Sequence, residues 1–423
     1  MRLFLIILSV AFFYCEKSFS FKCAADLREF VEGLPSQDLE VERAARILIG
    51  GTKGITISEG DLSEESIKLT REALLKKESF IYGGVFELLG KTIRVDALQY
   101  VAESDSWLLV NIRSGTKAKD VYLAETQDHF HFLRDWGLSM EGADLVFINP
   151  KAQVEKPKNW FTRQNVTEIV LGDDVVVAEE KFFWGGPRGR KAAKPEGVVG
   201  PGPHFNKPEL LKRFQKLKGP LYYLDFETLG QGLPVFPKAK PYQNIPFQLS
   251  LIRQNKIEDS SPTFFEYLHP VGKDPRRAIA EFLIQYIPDD GGSILAYNAG
   301  FEKRAIADLA KLFPDLRAAL EKLNERLEDP YEWVRATVFH EGFNGSNSLK
   351  VVAPTLLGQK WSYSDQVVND GKFAQSVYRA LQEFSSESPE AEFIRKALKE
   401  YCRQDTESLM ELVKYLAKVV GYK

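Results

Sequence analysis

The sequence predicts an α/β protein of two domains, and three observations support this. The chain has 423 residues, more than one hydrophobic core usually organises. Short runs rich in β-branched and aromatic residues alternate along it with segments of helical period. A Gly/Pro-rich stretch at 184–207 lacks an apolar period. We therefore predict a first domain at 1–180, a linker at 181–207 and a second domain at 208–423.

The composition is that of an ordinary soluble globular protein, with 44% hydrophobic and 27% charged residues. The net charge of −3 shows no global basic excess, so nucleic-acid binding would depend on a local patch. The three cysteines, Cys15, Cys23 and Cys402, are too few and too widely spaced for a disulfide framework. This usage is typical of a reducing compartment and predicts a cytoplasmic protein.

The N-terminus admits two interpretations. Arg2 precedes about a dozen apolar residues, with Ser18 and Ser20 after them, which resembles a secretory signal peptide over residues 1–20. The alternative, which we adopt, is a first buried strand or helix. The run is too short to span a membrane, and no other run is long enough, so we predict no membrane association.

The first domain is predicted to begin with helices over residues 1–80 and to continue with strands and one helix. The predicted strands are at 81–90, 91–102, 106–115 and 143–150, and the helix is at 128–138.

The second domain is predicted to alternate strands and helices. The predicted strands are at 221–230, 246–254, 263–270 and 292–300, and the helices are at 274–287, 301–313 and 389–419. Asp274 and Pro275 provide an N-cap and a first-turn proline for the first of these helices.

The linker is locally basic, with six Lys or Arg residues and one Glu between residues 181 and 207. It is either a solvated connection or a segment that contacts a nucleic-acid backbone.

Three short motifs in the second domain carry candidate chemistry. Asp225 and Glu227 are two apart on a predicted strand and share one face, with Phe226 on the other. Two such carboxylates repel each other unless they are solvated, paired with cations or bound to metal. A strand end that meets solvent is the alternative.

The other two motifs lie on predicted helices. Glu302 follows Phe301 in the first turn of one helix, where an acid also suits the helix dipole. Tyr401 and Asp405 are four apart on the last helix and share a face, as residues of any amphipathic helix do.

In order and spacing, the three motifs together resemble those of the DEDD exonucleases of the ribonuclease H-like superfamily. Asp225 and Glu227 match the first motif, and Asn298, Phe301 and Glu302 match the second, although many members have Asp at the position of Glu302. Tyr401 and Asp405 match the third motif of the tyrosine subclass. The histidine subclass is a poorer match because the sequence has no His after His340.

Residues 208–423 are more specifically similar to the family called domain of unknown function 2779. Six segments match its pattern in order: YLDFET, PYQNIPFQLSL, YNAGFEKR, GSNSLKVVAPTL, YSDQVVNDGKFA and YCRQDT.

This resemblance implies a ribonuclease H-like mixed sheet with flanking helices and a two-metal nuclease, expected to be a 3′→5′ exonuclease of DNA or RNA that acts on single-stranded ends. Two Mg²⁺ or Mn²⁺ ions would be held by Asp225, Glu227, Glu302 and Asp405. Tyr401 would orient the attacking water. The predicted substrate contacts are Asn298, Lys303 and Gln248. For these three residues, loop support, a solvated helix charge and a core position remain the alternatives.

The first domain resembles a RecB-like nuclease module of the PD-(D/E)XK class. CEKSFSFK is similar to the segment that begins such modules, and Asp96 matches one catalytic position. Gly83, Asn111 and Arg113 stand where the other catalytic residues are expected, although Glu87 is an alternative acid on the same strand. Arg cannot act as a base, and Asn is a poor substitute for a carboxylate.

We therefore predict a degenerate nuclease domain kept for binding or scaffolding. No iron–sulfur cluster is expected, because only Cys15 lies near a cluster position. The rival function is a non-catalytic nucleic-acid-binding protein that retains nuclease folds.

Overall fold

A computed structural model describes residues 23–50, 53–172 and 202–422. The signal-like segment, Cys15 and most of the basic linker lie outside the described residues. Those that are described form two compact units. The first comprises residues 34–172 and 230–243, and the second comprises residues 23–33, 202–229 and 244–422. The predicted domain boundaries remain predictions.

The helices are numbered in chain order. They are α1 (Ala24–Gly33), α2 (Gln37–Gly50), α3 (Glu64–Leu75), α4 (Asp120–Asp135), α5 (Thr167–Leu171), α6 (Lys207–Phe214), α7 (Arg276–Tyr286), α8 (Gly300–Leu312), α9 (Arg317–Glu325), α10 (Pro330–Thr337), α11 (Leu349–Leu357), α12 (Gly371–Ala380) and α13 (Pro389–Val420).

The strands are numbered in the same way. They are β1 (Ile55–Thr56), β2 (Phe80–Leu88), β3 (Lys91–Val101), β4 (Ser106–Arg113), β5 (Met140–Ile148), β6 (Phe161–Asn165), β7 (His204–Phe205), β8 (Leu221–Leu229), β9 (Ile245–Gln254), β10 (Thr263–Leu268), β11 (Ile294–Leu295), β12 (Leu327–Glu328) and β13 (Val338–Phe339).

The first unit contains a mixed six-stranded sheet in the order β1-β2-β3-β4-β5-β6. The pairs β1–β2 and β4–β5 are parallel, and the other neighbours are antiparallel. A two-residue turn with positive φ at Leu89 and Gly90 joins β2 to β3, which suits a tight hairpin. The four strands predicted for this domain are confirmed, and the sheet also includes β1 and β6.

The second unit contains a mixed five-stranded sheet in the order β10-β9-β8-β11-β12. Strand β9 is antiparallel to both of its neighbours, β10 and β8. Strands β8, β11 and β12 run parallel to one another. With helices flanking both sheets, the chain is a mixed α/β protein, as the sequence predicts. In the described part of the chain, no helix is long and apolar enough to cross a membrane.

Strand β8 is the central strand of this sheet, and its side chains pack into two separate hydrophobic cores. Leu221 and Tyr223 pack into a core with α13, whereas Tyr222, Leu224 and Phe226 pack into a core with α7 and α8. A strand covered on both faces is hydrophobic almost throughout, which explains the run LYYL. The predicted separation of Phe226 from the two acids is confirmed.

Helix α13 is the longest helix of the second unit, and its sequence defines both ends. The Ser388 hydroxyl accepts a hydrogen bond from the Ala391 backbone N–H, and Pro389 occupies the first turn. Gly421 ends the helix with φ 70°, a left-handed conformation that favours glycine. The helix begins and ends within about one residue of its predicted limits.

The strand predicted at 292–300 is much shorter than expected. Only Ile294 and Leu295 are extended and paired, as β11, and they pair with Tyr222 and Tyr223 of β8. Strand β8 therefore extends beyond its neighbour, and its C-terminal part lines a cleft together with the first turn of α8.

Candidate metal centre

Three carboxylates of the second unit converge at the end of β8. Asp225 and Glu227 follow Leu221 and Tyr223 on the strand face that α13 covers. Helix α13 brings Asp405 to the same place. One carboxylate oxygen from each of the three residues lies within 4.8 Å of the others. The sequence prediction placed these acids together, and the structure brings them within reach of one ion.

Glu302 approaches the same cleft from the first turn of α8. Its side chain is only 3% exposed, and its Oε2 has no hydrogen-bond partner among the described residues. A buried carboxylate oxygen without a partner is costly unless a cation or a proton compensates it. Glu302 lies outside the group of three but close enough that its charge raises the pKa of Asp225.

All four acids have raised pKa values, and burial is the main cause. Burial raises the pKa of Glu227 to about 8, and the nearby charge of Asp405 adds to the shift. Burial likewise raises the pKa of Glu302 to about 8. The pKa of Asp225 is raised well above its usual range by burial and by its three acidic neighbours, and burial also raises the pKa of Asp405. Enclosed acids that repel one another are typical of functional sites.

This arrangement fits hard divalent cations. The converging donors are carboxylate oxygens, which Mg²⁺ and Mn²⁺ prefer, and a cation would relieve the repulsion that raises the pKa values. The unpartnered oxygen of Glu302, which lines the same cleft, offers a further ligand.

The cleft around these acids has a volume of about 1050 Å³ and is open to solvent. Uncharged polar side chains form much of its wall, including those of Thr228, Asn344 and Asn347. Asn298 lines the cleft, and its role as a substrate contact stays a prediction. It is exposed, has φ 66°, and donates a backbone hydrogen bond to Asp329 Oδ1 at 2.9 Å.

Two predicted substrate residues do not line this cleft. Gln248 is 1% exposed, pairs with Glu227 across the sheet, and donates from Nε2 to the Leu398 carbonyl oxygen at 2.8 Å. The exposed Lys303 lies on α8, beside Glu302 in sequence but outside the lining. Gln248 is outside the cleft because its side chain faces α13, and Lys303 because its side chain faces solvent.

Lys350 of α11 is a site residue that the sequence analysis missed. Its Nζ donates to the Tyr401 phenol oxygen at 2.6 Å and to the Asn369 carbonyl oxygen at 2.8 Å. Its positive charge lowers the pKa of both Glu227 and Asp405. A cation in the first turn of a helix is unfavourable to the helix dipole. The position of Lys350 in the sequence could therefore have indicated a functional role.

Tyr363 and Cys402 also touch the acids and were not predicted. The Tyr363 phenol donates to Asp405 Oδ1 at 2.6 Å. The buried Cys402 Sγ lies 3.7 Å from Asp225 Oδ2. Cys402 adjoins Tyr401 in the motif, but Tyr363 is 38 residues before Tyr401 in the sequence, and no local spacing connects them.

The first unit places its candidate residues very differently. Gly83 has φ 63°, and a Cβ at this position would overlap the Ser58 carbonyl oxygen. A carboxylate residue would therefore strain β2 at the position where an acid was expected. Glu87 is exposed and pairs with Thr92, four residues along β3 from Asp96 and thus about 13 Å away.

Asp96 is paired with arginines. Its carboxylate accepts from Arg113 at 2.5 Å, from Arg94 at 3.3 Å and from the Ile112 backbone N–H at 2.8 Å. Asn111 is fully buried and donates to Thr126 Oγ1 at 3.0 Å. The guanidinium of Arg113 thus lies where a cation would be needed to neutralise Asp96.

These ion pairs form one continuous chain of alternating charge across the first unit. It links four arginines and four acids in the order Arg43, Glu59, Arg46, Glu42, Arg94, Asp96, Arg113 and Glu125. The chain carries no net charge, and every carboxylate in it is already paired with a guanidinium.

Comparisons with known proteins were informative only for part of the chain. The chain is 26% identical over 219 residues to the Uncharacterized protein MG366 homolog of Mycoplasma pneumoniae, which is 47% of this chain and 32% of that protein. It is 25% identical over 227 residues to the Uncharacterized protein MG366 of Mycoplasma genitalium, 49% of this chain and 33% of that protein. The chain therefore spans about a third of the length of these curated relatives. No solved structure matches it. Residues 222–348, which include Asp225, Glu227 and Glu302, match the family Domain of unknown function (DUF2779).

Proposed function

We propose that this protein is a metal-dependent nuclease that hydrolyses phosphodiester bonds of DNA or RNA, acting as a 3′→5′ exonuclease on single-stranded ends. The observation that carries the proposal is the convergence of Asp225, Glu227 and Asp405 within 4.8 Å, with Tyr401 in the same open cleft. The mixed five-stranded sheet with flanking helices supports a ribonuclease H-like fold for the second unit.

The four acids would hold two Mg²⁺ or Mn²⁺ ions. Asp225, Glu227 and Asp405 would hold the first ion, and Glu302 with Asp225 would complete the place for the second. Two such metal ions supply a nucleophilic water at neutral pH and stabilise the negative charge of an in-line phosphoryl displacement.

The chain's own residues perform the remaining tasks. The Tyr401 phenol accepts a hydrogen bond from Lys350, which orients it in the cleft one helical turn before Asp405. Lys350 supplies a positive charge beside the place where negative charge develops on the phosphate. Asn298, an exposed residue that lines the cleft, would orient the terminal nucleotide through its side-chain amide.

The first unit is proposed to be a degenerate PD-(D/E)XK-like domain without cleavage activity. The pairing of Asp96 with two arginines supports this, because both of its carboxylate oxygens are already engaged by guanidinium groups. Under this proposal, cleavage depends only on the second unit.

The test is digestion of end-labelled single strands of DNA and RNA with Mg²⁺ or Mn²⁺. Wild-type protein should release mononucleotides, whereas Asp225→Ala and Asp405→Ala should release none above background. Equal release by wild type and both variants would refute the assignment. If wild type binds the strands with a steep salt dependence but cuts neither, the non-catalytic nucleic-acid-binding protein is the better description.

A further inference from the structure

Tyr363 presents its phenol to Asp405 from the start of the segment YSDQVVNDGKFA, outside the three motifs that carry the acids. The Tyr363 oxygen lies 2.6 Å from Asp405 Oδ1 and 3.4 Å from the Ser408 hydroxyl, one helical turn further along α13. Tyr363 is only 6% exposed and Ser408 is fully buried. A hydrogen bond enclosed in this way is stronger than one in water, and it fixes the orientation of its acceptor.

The segment that carries Tyr363 is tied to the same helix on both sides. Gln404 of α13 donates from Nε2 to the carbonyl oxygens of Ser362 at 3.1 Å and Trp361 at 3.3 Å. Gln366 donates from Nε2 to Gln404 Oε1 at 2.5 Å. Three hydrogen bonds with Gln404 therefore hold the segment around Tyr363 in place before any ligand arrives. This is the preorganisation that a ligand-positioning group requires.

We infer that Tyr363 is a positioning residue that fixes Asp405 as a one-oxygen metal ligand. This inference rests on the proposed function. With Oδ1 engaged by the Tyr363 phenol, Asp405 would bind an ion through its other oxygen. Mg²⁺ and Mn²⁺ take octahedral sets of single oxygens, whereas Ca²⁺ readily takes both oxygens of one carboxylate in a larger set. Tyr363 therefore favours the smaller ions at this centre.

The test measures Mn²⁺ and Ca²⁺ affinity by calorimetry on the full-length protein. Tyr363→Phe should weaken Mn²⁺ binding by about tenfold or more, the usual effect of losing a group that orients a ligand. Ca²⁺ binding should weaken less or not at all. Tyr223→Phe is the matched control, because its buried phenol oxygen has no hydrogen-bond partner among the described residues, and it should bind both ions as wild type does.

A second variant decides the matter if Tyr363→Phe does not fold. Gln404→Ala keeps Tyr363 but frees its segment, and it should shift the Mn²⁺/Ca²⁺ ratio in the same direction by a smaller factor. Unchanged affinities in the folded variants would overturn the inference while leaving the nuclease proposal intact. An equal loss for both ions would overturn the one-oxygen assignment. Absence of Mn²⁺ binding by wild type would overturn both proposals.

Discussion

The ammonium of Lys350 lies 2.6 Å from the phenol oxygen of Tyr401 and donates a hydrogen bond to it. It also lies over the Tyr401 ring, 4.5 Å from its centroid. No carboxylate oxygen of a described residue lies within 4 Å of Lys350 Nζ. The lysine thus lowers the pKa of both Glu227 and Asp405 without forming a direct ion pair with either.

Removing this charge should impair catalysis more than binding. For Lys350→Met, we expect kcat to fall by about 100-fold, as for the loss of one preorganised group at a site of developing charge. The pH profile should also move to higher pH, because Lys350 lowers the pKa of Glu227 and Asp405. Steady-state kinetics across pH measure both effects. Lys360→Met, which removes an exposed lysine near Trp361, is the control. An unchanged kcat for Lys350→Met would contradict this role.

Neutralising one acid should stabilise the metal-free protein at alkaline pH. The pKa of Glu227 is about 8 in the folded protein, above its usual 4.5. The unfolded chain therefore loses this proton first, and folding stability falls as pH rises from about 4.5 to about 8. Glu227→Gln should remove this loss and gain on the order of 2 kcal/mol near pH 8 in chemical denaturation. Near pH 4 the variant should show no such gain, and a loss of stability at pH 8 would disprove the argument.

Metal binding should strengthen with pH. A divalent ion must displace protons from Glu227 and Glu302, whose pKa values are both about 8. Apparent Mn²⁺ affinity should therefore rise by up to about tenfold per pH unit for each proton released, and should level off above about pH 8. Calorimetry in buffers of different ionisation enthalpy counts these protons. Glu302→Gln should release about one proton fewer, and pH-independent binding would show that the acids are already ionised.

Asp96 should matter for stability and not for cleavage. Asp96→Ala leaves two enclosed arginines without their shared partner, which typically costs about 3 kcal/mol. Thermal unfolding of the full-length protein measures this loss. Nucleotide release at a temperature where both proteins are folded should be unchanged. The matched control is Asp105→Ala, which removes an exposed partner of Lys77 and should cost less than about 1 kcal/mol. Loss of cleavage by folded Asp96→Ala would make the first unit catalytic.

The sequence predicted those features that local spacing determines. A period of two placed Asp225 and Glu227 on one face of β8, and a spacing of four placed Tyr401 and Asp405 together on α13. Tyr363 was missed because only the path of the chain brings it to Asp405, and Lys350 because only that path brings it to Tyr401. The cleft itself depends on β11, which ends after Leu295 although the sequence predicts a longer strand.

The sequence also could not separate burial from function at Gln248. Its place in the segment PYQNIPFQLSL made it a candidate substrate contact, but α13 covers this part of β9 and engages its amide. In the first unit, by contrast, the sequence alone showed that Gly83 and Arg113 differ from the catalytic residues expected at their positions. The structure adds the physical reasons: the backbone at Gly83 leaves no room for an acidic side chain, and the guanidinium of Arg113 neutralises Asp96.

The most direct measurement is the anomalous diffraction of Mn²⁺ in crystals of the full-length protein grown with a nucleoside monophosphate. The account predicts Mn²⁺ among the carboxylates of Asp225, Glu227 and Asp405, with the phosphate of the nucleotide beside it and no Mn²⁺ at Asp96. The absence of an anomalous peak at these three carboxylates, at a saturating Mn²⁺ concentration, would contradict the proposed metal centre.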